Sequence, residues 1–371
     1  MQEADLKALS TPVLWAVFAL SALFGAIARR THFCTMGAVA DIVTMNDWTR
    51  MRMWVLAMGV AMIGFNLMVA LGWLDASKSI YAGPRVIWLS ALVGGAMFGF
   101  GMVLASGCGS KTLVRIGGGN LKSLVVLIVL GIAGFATLKG ITAVARVSML
   151  DAVAVTLETG QDLPSLLAAP SGIPKITLAA VLGLALGGGL IAWALAHAEG
   201  RSSNNLLAGG GVGAIVAAVW WVSGRLGYVA EDPSTLQEAF VATNSQRMES
   251  LSFVAPVAYT LDWLMFFSDK TKLLTAGIVS VFGTIAGAAA HAVLTRSFRW
   301  EGFRDAQDTG HHLIGALLMG VGGVTALGCT VGQGLSGVST LSVGSFVALA
   351  AIVTGAVLAL RWQAWRIERA G

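Results

Sequence analysis

Three cysteines carry the most distinctive chemistry of this sequence: Cys34, Cys108 and Cys329. They are odd in number and widely separated, without a Cys-x-x-Cys pair, which disfavours a disulfide framework, a metal site or a redox motif. A neutral thiol is a weak hydrogen-bond donor and a soft, polarisable contact. Weak donors in series suit a solute that must leave each site as readily as it arrives. We therefore interpret the cysteines as successive contacts on a permeation path.

The segments around two of the cysteines read GCGSKTLVRIGGG and GCTVGQGLSGVST. Both are rich in Gly, Ser and Thr, and neither holds a carboxylate. Short helices that begin there present free backbone N–H groups and the positive end of a dipole, which favour an anion. Lys111 and Arg115 add positive charge. The pattern predicts an anionic solute, and the soft thiols favour one that contains sulfur over sulfate or phosphate.

The candidate path residues surround these cysteines, and His32 joins them because it stands two positions before Cys34. We expect the other histidines to be structural or interfacial, and Asp41 and Asp262 to be helix-end or packing groups. The sequence has no nucleotide-binding motif or nucleophile triad, so we expect no cofactor, no metal and no enzymatic activity. The complete candidate set is Cys34, Cys108, Cys329, Gly107, Gly328, Thr330, Gln333, Lys111, Arg115 and His32.

The composition defines the elements that must position these residues. The chain has 371 residues, of which 56% are hydrophobic and only 12% charged, and its mean hydropathy is +0.78. Soluble domains carry roughly 25% charged residues. A water-soluble enzyme, a nucleic-acid-binding module and a disordered regulator are therefore excluded, and we predict an all-α polytopic membrane protein whose partner is the lipid bilayer.

About 20 apolar residues cross a bilayer core as a helix, and by that measure the chain contains nine spans. Four further apolar stretches are too short or too broken to span and read as re-entrant or half-membrane helices, which are tolerated only inside protein or beside a cavity. All three cysteines fall in these short stretches. The predicted spans are 12–28, 53–73, 88–106, 122–145, 176–197, 206–223, 272–294, 311–328 and 342–362. The short stretches are 31–42, 107–117, 251–261 and 329–340.

The sequence contains an internal repeat. Residues 92–108 align without a gap with residues 313–329, with eight identities in 17 positions that include both Gly-Cys pairs. The third and eighth spans are five crossings apart and so run in opposite directions, as in the inverted repeats of secondary transporters. Cys34 has no cysteine twin in the second repeat. We predict a single transport domain over 1–371, with repeat A at about 12–145, a linking helix at 176–197 and repeat B at about 206–362.

Lys and Arg residues predict the orientation. The C-terminal stretch carries Arg361, Arg366 and Arg369, which places it in the cytoplasm under the positive-inside rule. Nine spans then place the acidic N-terminal stretch on the outer side of the membrane. This stretch lacks the pattern of a cleaved signal peptide. We expect a multi-pass protein of a bacterial inner membrane with a periplasmic N-terminus.

Three motifs resemble those of the YeeE/YedE sulfur-transport family: RRTHFCTMGAVAD (29–41), LASGCGSKTLVRIGGGN (104–120) and ALGCTVGQGLSGVSTLSVGS (326–345). The resemblance covers nearly the whole chain. It implies a fold of nine spanning and four short helices in two pseudo-symmetric halves. It also implies uptake of thiosulfate, which would pass from one to another of the three cysteines without covalent transfer. On the predicted topology Cys329 lies nearest the outside. The family also implies a small cytosolic sulfurtransferase of the TusA type as a partner.

Alternatives stay open at this point. The segments 146–175 and 224–250 are not explained by the family pattern, and some members are linked to selenium metabolism. The first alternative is therefore a transporter or channel for another small anion, or for another selenium or sulfur compound. A membrane sulfurtransferase with Cys329 as nucleophile is less favoured, because such a thiol needs a nearby base and no His or acid adjoins it in sequence. From position we predict that Cys329→Ala is the most severe variant, Cys108→Ala severe and Cys34→Ala milder.

Overall fold

Helices make up almost all of the regular structure. The computed structural model describes residues 3–232 and 236–370, and within these ranges it has fourteen α-helices and two pairs of short strands. The helices are α1 (Glu3–Thr31), α2 (Thr35–Met45), α3 (Thr49–Ala70), α4 (Trp88–Leu104), α5 (Gly109–Gly117), α6 (Leu121–Lys139), α7 (Ile141–Ala145), α8 (Leu163–Ser171), α9 (Lys175–Leu195), α10 (Ser203–Trp221), α11 (Val254–Met265), α12 (Ala276–Leu294), α13 (Ala306–Thr325) and α14 (Val343–Ala370). The strands β1 (Arg85–Val86) and β2 (Val155–Thr156) pair antiparallel, as do β3 (Tyr228–Val229) and β4 (Ala239–Phe240).

Eight helical stretches of the described residues are long and apolar enough to cross a membrane. Large apolar side chains such as Ile132 and Val181 are exposed on their outer faces, where lipid rather than water is the compatible solvent. These features confirm the prediction of an all-α polytopic membrane protein. The eighth predicted span, 311–328, corresponds to α13, a 20-residue helix whose first two turns are polar and which is not among these eight stretches.

The predicted span 122–145 is wrong at its C-terminal end. Helix α6 ends at Lys139, and Gly140 then adopts an extended conformation with φ −105° and ψ −155° before α7 begins. Glycine leaves a helix at low cost, whereas hydropathy alone cannot detect such a break. Helices α1 and α14 differ in the other sense, because both extend beyond their predicted spans.

The helices of the two halves interlock. Helix α1 packs on α12 and α3 packs on α10, while α4 packs against both α13 and α14 and α13 also packs on α6. Exchanging α1 with α10, α3 with α12, α4 with α13 and α6 with α14 converts the α4–α13 pair into itself and each other pair into another pair of the set. Helix α9 contacts α3 and α8 and has no counterpart in this exchange.

Repeat-related glycines contact one another at the α4–α13 crossing. A Cβ on Gly94 would lie 2.7 Å from the Gly322 carbonyl oxygen, and one on Gly322 would lie 2.6 Å from that of Gly94. Gly101 and Gly315 have the same reciprocal relation, at 2.7 and 2.6 Å. Reciprocal contacts of this kind are what a two-fold-related interface produces. The repeated glycines therefore allow two helix backbones to approach closely, as small residues do between membrane helices.

The two ends of the helix bundle differ. One end, here called the basic end, joins the 32–48, 105–120, 196–202 and 295–305 connections. Arg29 Nη2 donates to the Ser297 carbonyl there at 3.0 Å, and Lys122 pairs with Asp308 at 2.7 Å. The opposite end is here called the connector end. Its two long connectors, 146–175 and 224–250, fold over the bundle through β1–β2 and β3–β4, and isolated bridges join Ser79 to Met248 and Asp162 to Ser342.

Candidate functional site

All four predicted short stretches form short helices, and the three cysteines stand at the start of three of them. Cys34 is the N-cap of α2 and Cys108 is the N-cap of α5. Cys329 immediately precedes the helical residues 330–339, which contain the π-helical segment Gly332–Gly337. The fourth short helix, α11, has Phe253 as its N-cap. Phe253 therefore takes the place that the repeat leaves without a cysteine.

Matching turns direct the chain into two of these helices. Ser106 and Leu327 have positive φ angles of 54° and 57°, directly after α4 and α13. The following glycines close the turn, because the Gly107 N–H bonds to the Met102 carbonyl and the Gly328 N–H to the Gly323 carbonyl, both at 2.8 Å. This is a Schellman-type helix end. Each turn ends a long helix and allows a new one to start at the cysteine that follows.

The helix starts converge on one buried place. The Cys34 and Cys108 side chains lie within hydrogen-bonding reach of each other, and Thr330 stands beside Cys108. Cys329 accepts the Gly332 N–H at 3.4 Å, and the backbone N–H of Phe253 also lies near its sulfur. All three thiols are free and buried. Because helix N-termini carry unsatisfied N–H groups and partial positive charge, their convergence favours a small anion.

Two buried polar atoms next to Cys329 have no hydrogen-bonding partner in the described residues. They are Thr330 Oγ1 and Gln333 Oε1, on side chains that are 0% and 3% exposed. An unpaired buried polar atom costs about 1–3 kcal/mol. The Gln333 amide nitrogen is satisfied, because it donates to the Ala326 carbonyl. These atoms are therefore available to a ligand that enters between the helix starts.

A positively charged cavity opens beside Cys34 at the basic end. This basic cavity has a volume of about 480 Å³ and is lined by His32, Arg50, Lys111 and Arg115, among others. Arg50 is paired with Asp41 at 2.6 Å. Lys111 and Arg115 form no ion pair within residues 3–232 and 236–370. Their charge is therefore free to attract an anion.

The structure brings the ten sequence-predicted residues into one continuous region. Cys108, Cys329, Gly107, Gly328, Thr330 and Gln333 form its buried part, and Cys34, His32, Lys111 and Arg115 border the basic cavity. The two aspartates that the repeat matches are both ion-paired, Asp41 with Arg50 and Asp262 with Lys272, each at 2.6 Å. No group of three or more His, Cys, Asp or Glu side chains in the described ranges could hold a metal ion.

Sequence reasoning missed two members of this region. Arg50 was not among the predicted path residues, because nothing in the sequence shows that it pairs with Asp41 beside Cys34. Phe253 was missed because the repeat alignment looks for identity, and a phenylalanine shares no chemistry with the cysteine it replaces. Phe253 is fully buried and stacks on Phe24 with ring centroids 5.5 Å apart.

Broken helices that meet at their N-termini within two interlocked, repeat-related halves define a membrane transport protein. The comparison with protein families then gives the identity: this chain belongs to the sulphur transport family, whose model matches residues 30–358. It is 25% identical to the thiosulfate transporter TsuA of Spirochaeta thermophila over 356 residues, which cover 92% of this chain and 97% of that protein.

Two further relatives are also named as transporters. The thiosulfate transporter TsuA of Escherichia coli is 25% identical over 338 residues, which cover 90% of each chain. The probable transporter YedE of Salmonella typhimurium is 32% identical over 112 residues, which cover 30% of this chain and 26% of that protein. Sulfur transport is therefore the function class of this chain.

Proposed function

We propose that this protein takes up thiosulfate across the bacterial inner membrane, through a path lined by Cys329, Cys108 and Cys34. The observation that carries the proposal is the convergence of four helix N-termini, three of them headed by a buried free thiol. The convergent N–H groups favour an anion. The thiols favour one that has a soft sulfur surface. Thiosulfate combines both properties, and two relatives of similar length are named for its transport.

The basic cavity supports an exit at the basic end. Lys111 and Arg115 carry unpaired positive charge there, and charge of one sign lining a cleft raises the local concentration of the oppositely charged solute. The basic end also carries the Arg and Lys residues that the positive-inside rule assigns to the cytoplasm. We infer passage from the connector end, past Cys329 and Cys108, to Cys34 and the basic cavity.

The passage that we propose is non-covalent. Backbone N–H groups surround the Cys329 sulfur, and such donors stabilise an anion without forming a bond to it. A TusA-like cytosolic sulfurtransferase is the partner class that would consume the imported sulfur. A membrane sulfurtransferase would instead leave a persulfide on Cys329, which mass spectrometry of the protein after exposure to thiosulfate would detect.

Uptake of radiolabelled thiosulfate into proteoliposomes tests the proposal. We expect saturable uptake that excess sulfate or formate does not compete away, and that Cys329→Ala lowers strongly. Val212→Ala, a truncation of a buried side chain in α10, is the matched control for folding and reconstitution and should transport normally. Competition by selenite would extend the substrate class to selenium compounds. No uptake above that of empty liposomes would refute thiosulfate as the unaided cargo.

A further inference from the structure

A second cavity lies at the connector end, and the two connectors that the family pattern does not explain both contribute to it. This connector cavity has a volume of about 140 Å³. Arg146, which opens the 146–175 connector, and Glu249, which closes the 224–250 connector, line it together with Ser252 and Tyr259. The two charged residues are more than 100 positions apart in sequence, and the fold places them around one space.

One layer of side chains separates the connector cavity from Cys329. Tyr81 and Ser252 both line the cavity, and their side chains lie next to each other. A Cβ on Gly332 would lie 2.6 Å from Ser252 Oγ and 3.3 Å from the Tyr81 hydroxyl. Because the Gly332 N–H is itself bonded to the Cys329 sulfur, a solute that leaves the connector cavity past this layer reaches the first thiol.

The cavity holds one cation with spare hydrogen-bonding capacity. The Arg146 side chain is only 16% exposed, and its Nη1 pairs with Asp151 at 3.2 Å. Its buried Nε has no hydrogen-bonding partner in the described part of the chain. A guanidinium that still has an unused N–H group is suited to an oxyanion.

The cavity also holds a carboxyl group, which is unexpected on the path of an anion. Glu249 is partly buried and accepts the Ser245 N–H at 3.1 Å and the Ser245 hydroxyl. Burial raises the pKa of this carboxyl above its ordinary value, although the Ser245 hydrogen bonds oppose the shift. The other titratable or charged groups that face it are Tyr81, Tyr259 and Arg146.

The protonation state of this carboxyl decides what the cavity can bind. An ionised Glu249 would repel a dianion. A neutral carboxyl has an O–H group that can donate to the anion, in the same cavity as the unused Nε–H group of Arg146. Nearby Arg247 does not substitute for Arg146, because it is directed at the Ser79 carbonyl.

We propose that Arg146 and the protonated Glu249 form an entry site for the sulfur-containing dianion, so that the anion and a proton occupy the connector cavity together. This inference rests on the proposed function and adds to it a proton that is bound at Glu249 when the anion enters. Uptake then rises as the pH on the connector side falls, because a larger fraction of Glu249 carries its proton.

The test is the pH dependence of thiosulfate uptake into proteoliposomes between about pH 5 and pH 8, above the ordinary pKa of a glutamate carboxyl. We expect wild-type uptake at low substrate to be at least about tenfold higher at the acid end, because the protonated fraction of a carboxyl falls about tenfold for each pH unit above its pKa. Glu249→Gln, a permanently neutral isostere, should transport at the acid wild-type rate throughout the range. Arg146→Met should raise the KM at every pH.

Glu238→Gln is the matched control, because Glu238 lies in the same connector and pairs with Lys78 outside the cavity. It should keep the wild-type pH profile. A folded Glu249→Gln protein with the wild-type pH profile, or one without transport at any pH, would overturn the inference while leaving thiosulfate uptake in place. Absence of uptake by the wild-type protein at every pH would instead refute the proposed function itself.

Discussion

Replacement of Cys329 is the most direct test of the thiol path, because its truncation breaks only one side-chain hydrogen bond. Its side chain is fully buried, and its one well-defined hydrogen bond is the 3.4 Å contact from the Gly332 N–H. Cys329→Ala removes a single sulfur atom from the space between the helix starts. Cys329→Ser keeps a donor there but replaces the soft sulfur with a hard, shorter hydroxyl.

The expected size of the effect follows from the lost contact with the anion. Hydrogen bonds to charged groups contribute about 1.5–3 kcal/mol, and a thiol, as a weak donor, belongs near 1.5–2 kcal/mol. If this interaction is present at the highest barrier of the path, Cys329→Ala lowers uptake at low substrate by about 10- to 30-fold, since 1.4 kcal/mol is a factor of ten. Loss of the sulfur also leaves the Gly332 N–H unpaired, at about 1 kcal/mol, which the fold can tolerate.

The serine variant separates the role of the donor from that of the soft sulfur. We expect Cys329→Ser to recover part of the thiosulfate uptake and to lose discrimination against sulfate, because a hydroxyl contacts oxygen as readily as it contacts sulfur. Initial rates of uptake of both labelled anions should be measured for each variant, with reconstituted protein quantified in parallel. Wild-type rates for a well-folded Cys329→Ala protein, or unchanged selectivity in Cys329→Ser with full activity, would refute the thiol path.

Three other predictions concern the rest of the region and the helices that hold it. Cys108→Ala should lower thiosulfate uptake severely and Cys34→Ala less, because water in the basic cavity can replace the Cys34 donor; equal rates in the two variants would contradict this order. Lys111→Met should lower uptake about threefold to tenfold and weaken its dependence on ionic strength, and an unchanged salt dependence would argue against the basic cavity as an exit. Gly101→Val should lower the melting temperature of the detergent-solubilised protein, because its Cβ would lie 2.7 Å from a carbonyl oxygen of α13 and overpacking costs about 1–3 kcal/mol. Leu92→Val, at an exposed position of the same helix, is its control and should melt as the wild type does.

Much of the architecture could be predicted because a helix that spans a membrane requires a long apolar stretch of sequence. The spans follow from apolar length, and the short helices follow from stretches that are apolar but interrupted by Gly, Ser and Thr. The repeat of Gly94 and Gly101 in Gly315 and Gly322 identified helices that meet in the structure, since only small residues permit that approach. What the sequence could not show was the end of α6 at Gly140, because a helix break within an apolar stretch leaves hydropathy unchanged.

The site was predictable in its residues and not in its arrangement. Cys108 and Cys329 could be paired through the repeat, but their convergence with Cys34 depends on how α2 and α5 pack, which no local pattern records. The placement of Arg146 and Glu249 around one cavity was beyond prediction for a different reason. Both lie in connectors between the spanning helices, where apolar length does not constrain the fold, and they are more than 100 positions apart in sequence.

The exception to the pseudo-symmetry makes the two ends of the proposed path chemically different. A fully symmetric path would place the same group at the starts of α2 and α11 and would offer an anion equal contacts from either end. Here α11 begins after a buried Phe253, beside the connector cavity, whereas α2 begins after Cys34, beside the basic cavity. An anion that enters from the connector end therefore meets one thiol first and then two neighbouring ones next to the unpaired Lys111 and Arg115. We infer that the absence of a cysteine at the start of α11 places two of the three thiols at the end of the path that opens into the basic cavity.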